Sequence, residues 1–163
     1  MKIIPKRRRL ENKTNYTKRR RLLEHSKARI VIRKSNKYIT AQYLESKEAQ
    51  DSVKASVVSK ELLNYGWSKE KEGSLKNLGA AYLTGLLLGT KLKVLKYNKI
   101  ILDTGLIKST KGSRIYSAVK GIIDVGIPLA CDKEMFPEEA RIKNEEIASF
   151  FDKVKSQITG GKK

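Results

Sequence analysis

Between Leu75 and Thr90 the chain carries a helical repeat that is apolar almost all the way round. Leu75, Leu78, Tyr82, Leu83 and Leu86 recur at helical spacing, so the segment 75–90 is predicted to be a helix. A helix with one wet side needs a polar stripe, and this one has none, so the fold must cover it on opposite sides. Ala81, Gly85 and Gly89 add small residues at steps of four. That stripe predicts a close backbone approach to a sheet, despite a cost of about 1 kcal/mol for each helical glycine.

The strands to meet this helix are legible on either side of it. Residues 28–44 read as a hairpin, with Arg29-Ile30-Val31-Ile32-Arg33 rich in β-branched residues and Ser35-Asn36 at the turn. Alternation places Arg29, Val31 and Arg33 on one face and Ile30, Ile32 and Lys34 on the other, one face for a core and one lined by cations. Tyr38 and Tyr43 on the return strand serve either packing or stacking on a base. Residues 52–60 read as a third strand. Trp67, in the loop after Tyr65-Gly66, is predicted to anchor that loop through its large apolar area. Residues 99–104, a short run around Ile100-Ile101-Leu102, read as a strand buried on both faces, hence a βαβ-like unit.

A helix is predicted from Ser113, as N-cap, to Val125, with Ile115, Ala118, Val119 and Ile122 inward and Arg114, Ser117 and Asp124 outward. Gly126 and Pro128 end it. Residues 137–158 read as a further helix. From Asp132 to Asp152 seven acids face three cations, a net of −4 that is expected to point away from an anionic partner.

Charge is distributed very unevenly. The first 40 residues hold 15 Lys/Arg against two acids, a net of +13 within a chain total of +19. Such one-sided charge repels itself unless a polyanion neutralises it. Nucleic acid is the natural partner, because each neutralised phosphate releases condensed counterions. The candidates are Lys6, Arg7, Arg8 and Arg9 on an arm (residues 1–14) expected to lack packed structure. Next come Tyr16, Lys18, Arg19, Arg20 and Arg21 on a short helix capped by Asn15. Arg29, Arg33, Lys34, Lys37 and Tyr38 follow on the hairpin. A second cluster, Lys108, Lys111, Gly112, Ser113 and Arg114, puts cations and a helix start together as an anion cradle. Its order, Lys-Gly-Ser, departs from the nucleotide-binding P-loop pattern, so a nucleic-acid phosphate fits it better than a free nucleotide.

Other chemistry finds little support in the sequence. One cysteine, Cys131, excludes an internal disulfide, and with one histidine, His25, it cannot supply the usual zinc site. Asp103 and Asp124 are the nearest approach to a metal-dependent nuclease pair, but two-metal chemistry needs several carboxylates in one cleft. No catalytic set, metal site or cofactor is predicted. The apolar window 78–88 is far short of the roughly 20 residues that span a bilayer, and the first seven residues do not form a signal peptide. No membrane association is expected, and the chain is expected to work in the cytoplasm.

Several motifs in order carry a resemblance. Leu102-Asp103-Thr104-Gly105-Leu106, then 110–121 (Thr-Lys-Gly-Ser-Arg-Ile-Tyr-Ser-Ala-Val-Lys-Gly), resemble the large-subunit ribosomal protein L-eighteen family, in its archaeal form. Residues 29–43, Tyr65-Gly66-Trp67, Ala80 to Leu86, and Arg141-Ile142-Lys143 with Glu145-Glu146-Ile147 agree. The resemblance covers about residues 6–150. It implies an α/β fold: a three-layer α/β/α core with a mixed sheet, a basic N-terminal arm and short helix (1–27), a globular domain (28–130) and a C-terminal helical extension (131–163). It further implies a structural, non-enzymatic role on the central protuberance of the large ribosomal subunit. The implied partners are 5S rRNA, 23S rRNA and the L-five family protein. A metal-dependent nuclease and a nucleotide-binding module on a similar fold are the alternatives.

Overall fold

The computed structural model describes residues 4–25, 28–48, 50–95 and 99–160. In chain order they form α1 (Arg7–Leu10), α2 (Tyr16–His25), β1 (Ala28–Lys34), β2 (Ile39–Lys47), β3 (Gln50–Val58), α3 (Leu78–Val94), β4 (Ile100–Asp103), α4 (Arg114–Asp124), α5 (Glu139–Ile142) and α6 (Glu145–Thr159). Two 3-10 segments, Ser59–Tyr65 and Lys69–Ser74, join β3 to α3.

The sheet order is β3-β2-β1-β4. The predicted hairpin forms, with Ile30 opposite Tyr43 and Ile32 opposite Ala41. β4 runs parallel to β1, Ala28 beside Ile100 and Val31 beside Asp103, so the sheet is mixed. Helices lie on both sides of it. Ile30, Ile32, Ala41 and Tyr43 are fully buried on the side of α3 and α4. On the Arg29 side lies α2, tied down by Arg19 and Lys18.

The apolar helix is enclosed as its composition demands. From Gly79 to Gly89 every residue of α3 is buried. Asn77 caps it, its side-chain oxygen accepting from the Ala80 amide at 2.7 Å. The helix therefore starts after Leu75, which is buried just ahead of it, and it runs on to Val94.

Its small residues do not face the sheet as expected. They face α4. A β-carbon at Gly85 would collide with the Ala118 carbonyl, and one at Gly121 with the Tyr82 carbonyl. Two helix backbones in contact gain more from bare glycine surfaces than a helix laid on pleated side chains does. The same contact turns Ser117 inward: it is fully buried, and its hydroxyl donates to the Leu78 carbonyl at 2.7 Å. Tyr82 closes the far end by donating to Asp124 at 2.8 Å.

Three further expectations shift. β4 is an edge strand with only Ile100 buried, because no strand lies beyond it. The third strand starts at Gln50 and yields to a 3-10 turn at Ser59, whose buried hydroxyl accepts from the Ile39 amide. The single C-terminal helix is two, broken at Lys143-Asn144, so that Ile142 and Ile147 both turn onto the start of α3. Trp67 does anchor its loop, edge-on to Phe150 of α6 at 4.7 Å.

Candidate nucleic-acid interface

The arm is not featureless. Arg7, Arg8 and Arg9 stand on the single exposed turn of α1. Arg8 donates to the Thr14 hydroxyl at 2.9 Å, and the Lys6 ammonium lies 4.7 Å from the centre of the Tyr16 ring. Tyr16 thus holds the arm by a cation–π contact, which uses one face of its ring.

Asn15 caps α2 as expected, accepting from the Lys18 amide at 3.0 Å. The cations of α2 then diverge. Lys18 donates to the Gly105 carbonyl at 2.8 Å. Arg19 pairs with Asp51 at 2.9 Å. Arg20 pairs with Glu24 one turn on, in full solvent, where such a pair contributes little. Arg21 is exposed and has no partner among the described residues. Lys18 and Arg19 therefore seat the helix, while Arg20 and Arg21 face outward. Lys27 lies outside the described residues.

On the hairpin the expected row of cations splits in two. Arg29 is 1 % exposed. Its Nη2 meets Asp51 at 2.6 Å, and its Nε and Nη1 have no hydrogen-bond partner among the described residues. Its burial makes it an internal charge, with nothing to offer an external anion. Arg33 is half-exposed and bonds the Asp103 carbonyl at 2.9 Å. Lys34 and Lys37 are exposed, and their ammonium groups have no partner among the described residues. Tyr38 packs against the core edge and donates to Glu72 at 3.2 Å, so its ring is committed to packing.

Asp51 binds this arrangement together. Its burial alone would raise the carboxyl pKa. The hydrogen bond from Ser46 and the cations Arg29 and Arg19 outweigh that, and they hold it below the usual carboxylate range.

The second cluster gathers at the start of α4. Gly112, with φ +65, makes the reversal that L side chains rarely adopt, and its amide donates to the Met135 carbonyl at 3.0 Å. Ser113 sits at the N-cap position without a side-chain capping bond, so its helix start is open to an outside acceptor. Lys111 leans to Glu134 at 2.9 Å, both well exposed. Lys108 and Arg114 are exposed, their charged groups without a partner among the described residues. They meet two cations from elsewhere, Lys34 at the end of β1 and Arg141 on α5, around one cleft. Sequence reasoning missed Arg141 because it sits in a segment of net −4. The acids around it point to Lys111, Lys120 and Lys143 instead.

The carboxylates once weighed for metal chemistry are used locally. Asp103 accepts from the Gly105 amide at 2.7 Å, and Asp124 from Tyr82. Among the described residues no three His, Cys, Asp or Glu side chains converge. Burial and the neighbouring Asp132 carboxylate push the Cys131 thiol up, away from reactivity.

An α/β body with a cationic arm and exposed, unpaired cations on two flanks defines a polyanion-binding protein. Comparison then narrows the class. The family described as ribosomal large subunit proteins 60S L5 and 50S L18 matches residues 3–99. The large ribosomal subunit protein uL18 of Korarchaeum cryptofilum is 46% identical over 93% of this chain and 75% of its own length. That of Methanothrix thermoacetophila is 44% identical over 90% and 85%. That of Methanococcoides burtonii is 39% identical over 93% and 91%. The chain belongs to this ribosomal L18 family.

Proposed function

We propose that this chain is a structural, non-enzymatic constituent of the large ribosomal subunit in the cytoplasm, and that it binds 5S rRNA. The same proposal has it meet 23S rRNA and an L-five family protein at the central protuberance. The observation that carries this reading is the separation of the cations into two jobs. Arg29, Lys18 and Arg19 hold the basic helix to the sheet. Arg7, Arg9, Arg20, Arg21, Lys34, Lys37, Lys108 and Arg114 are left facing solvent. A surface built so binds RNA chiefly through phosphate and shape.

If about eight phosphates are neutralised, the logarithm of the 5S rRNA association constant should fall with log salt at a slope of roughly −6 to −7. Filter binding or gel shift over a salt series measures it. A slope near zero overturns the reading.

A further inference from the structure

The cleft at the start of α4 has a volume of about 550 Å³. That lies inside the range of about 300–1,000 Å³ typical of sites that hold a compact organic ligand. Leu78, Ile107, Ile115 and Ile147 line it with apolar surface. Lys34, Lys108, Arg114 and Arg141 stand around it, supplied by β1, the loop after β4, α4 and α5. All four are exposed, and none of their charged groups has an ion-pair or hydrogen-bond partner among the described residues. Lys111, in the same loop, does have one in Glu134. Four like charges brought to one opening repel one another until an anion arrives.

The lining and the rim call for different parts of one ligand. A bare phosphate would leave the apolar lining wet. A free nucleotide would use one or two of the cations, and the loop lacks the glycine pattern that wraps a terminal phosphate. A nucleotide within an RNA strand satisfies both, since its base covers the lining while the phosphates before and after it reach the rim. Asn144, at the N-cap of α6 with no capping bond, adds a free amide for a base edge. Gly112 shapes the loop that brings these groups together, because its φ of +65 would strain an L side chain.

We propose that this cleft receives one unstacked nucleotide of ribosomal RNA, its base over Ile107 and Ile115 and its flanking phosphates on Lys34, Lys108, Arg114 and Arg141. The inference rests on the RNA-binding reading above. Unpaired bases splayed from loops are the usual object of specific RNA recognition, so the cleft would supply register where the arm supplies affinity.

The test uses the full chain with transcribed 5S rRNA and, separately, with 23S rRNA. Arg114→Gln with Arg141→Gln should reduce the salt slope for one of these RNAs by about two, and weaken its binding at least tenfold. Lys34→Gln with Lys108→Gln should do the same. Ile107→Gln keeps every cation, and should weaken the same RNA several-fold with the slope unchanged. Melting temperatures of the two double cation variants should stay within a few degrees of the parent, since none of these four side chains has a partner to lose. A cation effect without an Ile107 effect makes the cleft a phosphate rest and overturns the nucleotide. No effect from any variant on either RNA overturns the site. Arg20→Ala with Arg21→Ala separates the two readings. If these arm changes weaken binding while the cleft variants do not, only the cleft falls. If the parent shows no salt-dependent binding at all, both fall.

Discussion

Asp51 meets the buried guanidinium of Arg29 at 2.6 Å, although the two residues lie on strands that do not pair with each other. The same carboxylate takes Arg19 from α2 at 2.9 Å. One acid therefore neutralises an internal charge and fixes the basic helix over the sheet.

Asp51→Asn should destabilise the free chain by about 3 kcal/mol, at the lower end for breaking a buried pair because Asp51 retains some exposure. The loss arises from a buried guanidinium whose other nitrogens already lack partners. Denaturant unfolding measures it. A change under about 0.5 kcal/mol, the size of an ordinary surface substitution, would contradict the assignment.

The depressed Asp51 pKa gives a pH dependence with a definite sign. The stability it contributes is complete above the unfolded value of 3.8. It is lost as pH falls from there through the lower folded value. In Asp51→Asn this part of the acid loss should vanish, which unfolding midpoints measured across that window will show.

Gly85→Ala should cost about 3 kcal/mol or more, because the new methyl meets the Ala118 backbone, which has no room to yield. Gly73→Ala, where nothing lies within 4 Å, should cost little. Thermal melts of both variants provide the comparison.

Tyr82→Phe should cost about 1 kcal/mol, because it removes one hydrogen bond to an Asp124 that solvent can rehydrate. Burial first, and then the hydrogen bond and charge of Asp124, push the Tyr82 phenol well up. Its ultraviolet titration should therefore lag behind that of the other tyrosines.

The sequence revealed elements better than it revealed neighbours. Alternation in 28–44 foretold the hairpin, and the unbroken apolar character of 78–88 foretold an enclosed helix. Periodicity says which face is apolar and not what covers it, so the glycine stripe was assigned to a sheet when α4 covers it. Ser117 looked like a surface residue because a hydroxyl that satisfies a distant carbonyl leaves no local trace. The basic arm was legible from charge alone. Arg29, on the hairpin, reads from sequence as an RNA-facing cation, since the acid that claims it, Asp51, is 22 positions away. Arg141 was overlooked because its surroundings in sequence are acidic while its surroundings in space are not.

The parallel pairing of Ala28 with Ile100 sets a timetable for biosynthesis. Synthesis runs from the N-terminus, and the first three strands, with the Asp51 anchor, are complete long before β4 emerges. The Arg19–Asp51 half of the helix seat can thus form while translation continues, and the Lys18 bond to Gly105 follows only once β4 is made. The cleft that needs Arg141 closes only once α5 has been made, so under the proposed RNA reading a nascent chain grips loosely first and indexes last.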